Sequence, residues 1–311
     1  MEKTSLQIEQ ERLCERLFRR FHQACQQYGL LADGDHVLVG LSGGKDSLLL
    51  TELLGRQQRI FVPKIRVTAV HVRVRERNYQ SDLSYLEDFC REAGVPFIVR
   101  DTAIERPTTN GEHQRAKDPC FLCAWYRRKA LLDLAQELGC NKIALGHHRD
   151  DILHTLLMNL TFQGSFATMP PMLQLDKMPL AHIRPLCLID EADIRRYAEL
   201  RAYQKQKVLC PYEHASSRTE IRQLFAELER LNPDIRSSLW NAMQNVKAEY
   251  LPRVRHLRTQ TESSDCAPDS LKSSGPPLSP PRHSRVGDPK DRLSVLGRVR
   301  QSGRNGRYRS A

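Results

Sequence analysis

The chain has 311 residues, a hydrophobic fraction of 40% and a net charge of +11, so it can build a core. No uninterrupted apolar run approaches the ~18 residues of a membrane-spanning helix, and the N-terminus lacks the apolar core of a signal peptide. Nine cysteines, an odd number in a chain of ordinary composition, argue against a secreted disulfide framework and predict a protein of the reducing cytoplasm.

The N-terminal segment predicts an amphipathic helix over residues 9–28. Leu13, Leu17, Phe21 and Cys25 recur at i+4 spacing and form one apolar face. The other face carries four arginines, namely Arg12, Arg16, Arg19 and Arg20. Such a face is typical of a solvated surface, and contact with RNA is the alternative.

Short apolar runs alternate with helical patterns from residue 36 to residue 162. We predict strands at 36–41, 64–72, 96–101 and 142–146, and helices at 46–55, 79–94, 121–139 and 150–162. Because this alternation favours right-handed crossovers, the predicted fold class is α/β with a doubly wound parallel sheet. In such sheets the ligand binds beyond the carboxyl ends of the strands.

The pattern changes after Pro170 and Pro171. A hairpin is predicted at 172–186, followed by helices at 191–201, 217–231 and 233–250. Asp190 and Ser217 suit N-caps, and Pro233 suits a first helical turn.

These elements divide the chain into four predicted parts. They are an N-terminal helix (1–30), a nucleotide-binding α/β domain (31–189), a C-terminal helical region (190–251) and a basic tail (252–311). The tail has 13 Lys+Arg against 5 Asp+Glu and seven of the 17 prolines. It holds too little apolar surface to offset its ordering entropy, so we predict disorder. It would contact RNA phosphates without specificity or only confer solubility.

Residues 37–47, VLVGLSGGKDS, are the most informative stretch, because an apolar strand runs directly into a tight turn and a helix. Gly43 and Gly44 let the backbone turn sharply and approach a ligand. The free N–H groups at the helix start suit a pyrophosphate. Four side chains complete the predicted ATP site: the hydroxyls of Ser42 and Ser47, the cation of Lys45, and Asp46 as a carboxylate for Mg²⁺.

This stretch departs from a Walker A loop, because Val39 and Asp46 stand where that motif needs a glycine and a Ser or Thr. Ser-Gly-Gly-Lys-Asp-Ser instead resembles the PP-loop of the ATP pyrophosphatases, which split ATP between the α and β phosphates. A turn that only connects strand and helix is the alternative.

A second polar segment, residues 147–151, follows the strand at 142–146 and reaches the same edge of the sheet. We assign a nucleotide-binding role to His147 and Asp151. The simpler roles are a helix cap for Asp150 and packing for His148. His71, at the end of the strand at 64–72, is a candidate for the adenine pocket by analogy with related folds.

Cys120 and Cys123 form a CxxC pair at a predicted helix start. Alone, this pair indicates a metal site, a redox pair or a coincidence. Cys210 follows ninety residues later, and neither Cys187 nor His214 completes a zinc set at a convincing spacing. Three thiolates with an open fourth position suit a [4Fe–4S] cluster. The other cysteines are interpreted as apolar fillers or tail: Cys14, Cys25, Cys90, Cys140, Cys187 and Cys266.

The order of motifs resembles the tRNA 2-thiocytidine synthetase family. Ser-Gly-Gly-Lys-Asp-Ser is followed by Cys-x-x-Cys, Leu-Gly-His-His-Arg-Asp-Asp, Met-Pro-Pro, Ile-Arg-Pro-Leu and a single late cysteine. The match ends at residues 244–246, so the tail has no counterpart. The resemblance implies that Cys120, Cys123 and Cys210 hold a [4Fe–4S] cluster and that Cys187 does not.

The resemblance also implies an enzyme that uses ATP and Mg²⁺ to replace the C2 oxygen of tRNA cytidine 32 with sulfur. Its partners would be tRNA and a cysteine desulfurase, and it would act as a homodimer. Lys45 and Asp46 would serve the adenylation step, and the three cysteines the sulfur transfer.

Two rival functions remain from the sequence. One is another PP-loop tRNA enzyme, either a 2-thiouridine synthetase or an enzyme that joins an amino acid to cytidine. The other is a non-catalytic, zinc-stabilised RNA-binding protein. The thiouridine enzymes most like this chain carry further Cys/His zinc motifs, and none appears in this sequence. The amino-acid-joining enzymes have no need for the CxxC pair. Both facts disfavour the first rival.

Overall fold

The computed structural model describes residues 4–60, 62–75, 82–104, 119–204 and 217–252, with only the backbone of residues 119–121, 217 and 218. The chain divides into two units, Met1–Leu251 and Pro252–Ala311. Apart from Pro252, the predicted tail lies outside the described residues, and its disorder stays a prediction.

In the described part of the chain, six strands form one sheet. They are β1 (His36–Gly40), β2 (Arg66–Val74), β3 (Phe97–Thr102), β4 (Lys142–Ala144), β5 (Met172–Gln174) and β6 (Ala181–Ile183), in the order β3-β2-β1-β4-β6-β5. All neighbours run parallel except β5, which is antiparallel to β6. Strand β1 lies inside the sheet, between β2 and β4. Its three consecutive apolar residues suit this position, because a central strand is buried on both faces. The predicted doubly wound α/β sheet is confirmed.

The described helices are α1 (Ser5–Gln27), α2 (Lys45–Gln57), α3 (Leu83–Ala93), α4 (Pro119–Glu137), α5 (Arg149–Met158), α6 (Glu191–Leu200), α7 (Ser217–Leu231) and α8 (Ile235–Gln244). Since successive side chains of a strand point to opposite faces, β1 contributes to two apolar clusters. Val37 and Val39 join the larger one, whose residues come largely from α1, α2, α3 and α6. Leu38 joins the smaller one with Leu134 of α4. No helix within the described ranges is long and apolar enough to cross a membrane.

Helix α1 is amphipathic as predicted, and its apolar stripe packs into the main core. Its polar face is partly paired with α6. Arg16 lies 2.7 Å from Asp193, and Arg196 lies 2.6 Å from Glu9. Arg16, one of the four arginines of the predicted solvated face, therefore pairs with another helix.

The C-terminal helices α7 and α8 pack against α5 through a third cluster that includes Leu153, Ile221 and Phe225. The predicted helix at 233–250 was too long, since α8 spans Ile235–Gln244. Pro233 precedes it, because Asn232 Oδ1 accepts the backbone N–H of Asp234 at 3.0 Å and holds a turn there.

Helix α5 also ends earlier than the predicted residue 162. It stops at Met158 and continues as one π-helical turn, Asn159–Gln163, which Gly164 ends with a φ of 62°. The hydroxyl of Thr161 donates to the carbonyl of Leu157 at 2.7 Å. Such side-chain hydrogen bonds compete with the backbone hydrogen bonds of a regular α-helix.

The predicted hairpin is present as β5 and β6, and β6 also pairs in parallel with β4, which extends the main sheet. Arg184 joins two of the sequence motifs. Its Nη1 donates to the carbonyl of Pro170 at 2.6 Å, and its backbone N–H donates to that of Pro171 at 2.8 Å. The Met-Pro-Pro and Ile-Arg-Pro-Leu motifs therefore form one structural unit at the edge of the sheet.

Candidate active site

The phosphate loop, residues 42–47, connects the end of β1 to α2. The backbone N–H of Leu41 donates to the carbonyl of Val70 at 2.8 Å, which fixes the entrance of the loop on β2. Gly43 has a φ of 84°, a conformation that other residues rarely adopt. Gly44 is the N-cap of α2, and among the described residues no side chain caps this helix. Its first N–H groups are thus available to an anion.

Both loop serines brace the backbone. The buried hydroxyl of Ser47 donates to the carbonyl of Gly44 at 2.9 Å, and the hydroxyls of Ser42 and Ser47 lie 3.1 Å apart. Because Ser47 uses its proton for the carbonyl, Ser42 must donate to Ser47. These bonds fix the shape of the turn.

Lys45 is held between two carboxylates. Its Nζ lies 3.1 Å from Oδ1 of Asp46 and 3.1 Å from Oε1 of Glu191, the first residue of α6. Burial would raise the pKa of Glu191, but the hydrogen bond and charge of Lys45 lower it to about 2. Glu191 is therefore ionised throughout the physiological range.

The loop from β4 to α5 lies directly on the phosphate loop. A Cβ on Gly146 would lie 3.1 Å from the carbonyl carbon of Asp46 and the backbone nitrogen of Ser47. A side chain here would push this backbone away, so glycine favours the close approach. The next residue but one, His148, is buried, and its Nε2 lies 3.8 Å from Oδ1 of Asp46. His148, for which packing was the simpler interpretation of the sequence, thus lies against the phosphate loop.

In this segment Asp151 has the capping role that the sequence suggested for Asp150. Asp151 accepts the backbone N–H of His148 at 3.2 Å and so caps α5, the role foreseen for Asp150. Asp150 is buried and instead accepts the backbone N–H of Glu191 at 2.8 Å. His147 is half-buried beside them. Nucleotide-binding roles for His147 and Asp151 stay predictions.

Asp150 belongs to an ion-pair layer formed by Arg149, Asp150, Asp190 and Arg236 beneath this segment. Arg236 of α8 pairs with Oδ1 of Asp150, and Nε of Arg149 lies 2.6 Å from Oδ1 of Asp190. Burial raises the pKa of Asp190, an effect that the charge of Arg149 opposes. The layer ties α8 to the segment that carries the histidines.

The sequence placed His71 at the end of its strand, but β2 continues to Val74, and His71 lies one residue beyond the partner of Gly40, the last residue of β1. Its Nδ1 is 2.8 Å from the carbonyl oxygen of Leu41. Because a carbonyl only accepts, Nδ1 carries the proton. Burial lowers the pKa of His71, so the ring is neutral near pH 7.

A cavity of about 990 Å³ opens at the carboxyl ends of β1 and β2, the edge predicted for a ligand. Residues 40–45, His71 and parts of α4 and α6 line it. Its volume lies near the upper end of the usual range for small-molecule sites. Arg127, one helical turn after Cys123, and Leu131 form the α4 part of the wall. The site therefore combines the phosphate loop with the helix that begins at the CxxC pair.

The cysteines are only partly described. Cys123 is buried on α4, Cys120 is described by its backbone in the first turn of the same helix, and Cys210 lies outside the described residues. Residues three apart on a helix share a face, which suits two ligands of one metal group. Cys187 is fully buried in the main core with Cys25, and burial raises the pKa of its thiol to about 12. Among the described residues, no group of three His, Cys, Asp or Glu side chains could hold a metal ion.

The sequence did not mark Arg127 and Arg195 of the cavity wall, or Glu191 beside Lys45, as site residues. Arg127 could have been found from its position four residues after Cys123. Glu191 and Arg195 begin a helix nearly 150 residues from Lys45. Nothing local in the sequence indicates their contact.

Comparison with known proteins agrees with this geometry. The family model described as a PP-loop domain matches residues 13–227. The tRNA-cytidine(32) 2-sulfurtransferase of Burkholderia multivorans is 35% identical over 248 residues, which are 78% of this chain and 73% of the relative. The protein of the same name from Pseudomonas putida strain W619 is 33% identical over 79% of this chain and 89% of its own length.

A solved structure is also similar. The U34-tRNA thiolase NcsA from Methanococcus maripaludis, solved with its [4Fe-4S] cluster, superimposes with a TM-score of 0.60 at 26% identity, over 76% of this chain and 78% of that one. The family match over most of the chain and the curated relatives at 33% to 35% identity show that this chain belongs to the PP-loop family and, within it, to the tRNA 2-thiocytidine synthetases.

Proposed function

We propose that this chain replaces the C2 oxygen of cytidine 32 in tRNA with sulfur in an ATP-dependent reaction. One observation carries the proposal: helix α4 begins at the CxxC pair and, one turn later, supplies Arg127 to the cavity beside the phosphate loop. The cavity beside the phosphate loop and the CxxC pair thus share one helix. The names of the similar proteins, a cytidine 2-sulfurtransferase and a tRNA thiolase, support the same chemistry.

The phosphate loop would carry out the first step. The C2 oxygen of cytidine attacks the α-phosphorus of ATP, pyrophosphate leaves, and the oxygen now carries AMP. The amides at the start of α2 and the ammonium of Lys45 would stabilise the charge that develops on the departing pyrophosphate. Asp46 is the carboxylate that would hold Mg²⁺ there.

The cysteines would serve the second step. Cys120 and Cys123 are three residues apart on α4 and, together with Cys210, would hold a [4Fe–4S] cluster. When bound, the cluster supplies the sulfur that takes the place of the activated oxygen. Arg127, which lines the cavity, would pair with the α-phosphate when AMP leaves from C2 with the original oxygen.

The sulfur used in each turnover has to be replaced. We expect a cysteine desulfurase to provide it in the cytoplasm, and we expect the enzyme to work as a homodimer. The tRNA would enter from the open side of the cavity.

The test is nucleoside mass spectrometry of tRNA from cells that lack this gene and carry a variant copy. Wild-type protein should restore 2-thiocytidine, and Cys123→Ala should not. Cys187→Ala is the matched control, because this thiol is buried in the core away from the site and should be dispensable.

Two outcomes would contradict the proposal. Unchanged 2-thiocytidine in the deleted strain would exclude this substrate, and loss of 2-thiouridine instead would indicate a thiolase of the uridine type. If Cys187→Ala loses iron while Cys210→Ala retains it, the proposed ligand set is wrong.

A further inference from the structure

Glu191 contacts the lysine of the phosphate loop from a distant part of the chain. Its Oε1 lies 3.1 Å from Nζ of Lys45 and 3.5 Å from Nη2 of Arg195. Arg195 and Lys45 both line the nucleotide cavity. The carboxylate thus lies where phosphate oxygens must approach the same ammonium group.

Glu191 is fixed from both sides. Its backbone N–H donates to Oδ2 of Asp150 at 2.8 Å, and Asp150 is itself paired with Arg236. Its side chain is 21% exposed, so it cannot swing freely into water. Since Asp150 belongs to the segment that packs on the phosphate loop, the backbone of Glu191 is tied to the loop that carries Lys45.

The charge of Glu191 is permanent at physiological pH, because Lys45 lowers its pKa to about 2. A carboxylate in this position opposes phosphate binding in two ways. It repels the incoming charge, and it has to give up its pairing with Lys45 before the ammonium can turn to a phosphate.

We propose that Glu191 is a positioning residue that holds Lys45 until phosphate oxygens replace it, and that takes Lys45 back when pyrophosphate leaves. The inference rests on the proposed function, in which the loop binds ATP and releases pyrophosphate. Its consequence is weaker retention of the product. Lys45 would be kept oriented without binding pyrophosphate too tightly for turnover.

The experiment is equilibrium titration of the full-length protein with inorganic pyrophosphate, ATP and adenosine, with and without Mg²⁺. Glu191→Gln keeps the size of the side chain and removes its charge. We expect it to bind pyrophosphate about three- to fivefold more tightly than wild type without Mg²⁺, as for loss of a partly exposed ion pair. Adenosine affinity should be unchanged, because adenosine has no phosphates.

Glu199→Gln is the matched control. Glu199 lines the same cavity on the same helix and pairs with Arg196 rather than Lys45. Removing its charge tests repulsion alone and should change pyrophosphate affinity less than about twofold.

Several results would overturn the inference. One is that Glu191→Gln binds pyrophosphate no more tightly than wild type does. Another is that Glu191→Gln and Glu199→Gln gain pyrophosphate affinity equally. Weaker binding of Glu191→Gln only with Mg²⁺ would make Glu191 a metal ligand. A matching change in adenosine affinity would indicate general damage to the cavity. If wild-type protein binds neither ATP nor pyrophosphate, the proposed function itself fails.

Discussion

The phosphate loop and the ion-pair layer lie next to each other, yet they are built in opposite ways. The loop is one contiguous stretch, and its shape comes from backbone groups, two glycines and two braced hydroxyls. The layer joins the N-terminal ends of α5 and α6 with α8, and side-chain charges hold it together. Asp150 in the layer is 4% exposed, whereas Lys45 in the loop is 28% exposed.

Because the loop groups are partly exposed and Asp150 of the layer is buried, we expect the loop to determine ligand binding and the layer to determine stability. Groups that must exchange partners with a ligand need access to solvent, and their pairs contribute little to the folded state. A buried charge that loses its partner is costly. Variants of the loop should therefore change activity, and variants of the layer should change stability.

Lys45→Met should give the largest effect. We expect thiolation to fall more than about a hundredfold, as when one preorganised group that stabilises transition-state charge is removed. The free energy of unfolding should change by less than about 1 kcal/mol, since the ion pairs of Lys45 are partly exposed. Single-turnover thiolation and urea unfolding measure the two quantities. Loss of stability with retained activity would reverse the comparison.

Arg236→Ala should act on stability. It leaves the buried carboxylate of Asp150 without its cation, which should cost about 2–4 kcal/mol in urea unfolding. Arg230→Ala is the control, because the pair of Arg230 with Glu227 is exposed on the same helical region. It should cost less than about 0.5 kcal/mol. Equal losses in both variants would show that burial of Asp150 does not matter.

Gly146→Ala tests the contact where the two regions meet. The added Cβ would press on the backbone of Asp46 and Ser47, and we expect ATP affinity to fall about tenfold. Gly55→Ala is the contrasting variant, since its Cβ would lie 2.5 Å from the carbonyl oxygen of Ala93, between α2 and α3. It should lose stability and keep ATP affinity. ATP titration and thermal unfolding of both variants measure these effects. Lower stability with unchanged ATP affinity in Gly146→Ala would contradict the prediction.

His71 should give the smallest effect, through pH. Burial lowers the pKa of His71. On acidification His71 therefore binds a proton near pH 6.5 in the unfolded chain and only at lower pH in the folded chain. Stability present above pH 6.5 should therefore fall as the pH drops towards the folded pKa, by at most about 1.4 kcal/mol per pH unit. His71→Asn keeps a donor for the carbonyl of Leu41 and should flatten this slope. The measurement is the free energy of unfolding in urea, from pH 7.5 to 5.5, for wild type and His71→Asn. Identical pH slopes in the two proteins would show that His71 is not the group responsible.

Local patterns in the sequence predicted much of this molecule. The apolar run at 37–39 followed by Ser-Gly-Gly-Lys-Asp-Ser predicted strand, turn and helix, since conformation and hydrogen bonds within a few residues decide that unit. The i+4 stripe of α1 and the alternation of strands and helices predicted the sheet. The boundaries that were wrong, at Met158 and Ile235, depend on single side-chain hydrogen bonds.

Contacts between distant residues could not be read in the same way. Periodicity identifies a buried face and leaves its partner open, so nothing marked Glu191 as the neighbour of Lys45 or Arg236 as that of Asp150. The roles of Asp150 and Asp151 could not be separated either, because a cap and a buried ion pair use the same side chain.

The sequence by itself determined the fold class, the family and the loop that should bind phosphates, because each follows from patterns and motifs that can be recognised in order along the chain. Only the tertiary structure decided which carboxylate pairs with Lys45, which histidine contacts the loop, and that Arg127 reaches the cavity from the CxxC helix. These contacts depend on how α4, α5 and α6 pack around one edge of the sheet, and packing joins residues that the chain itself keeps far apart.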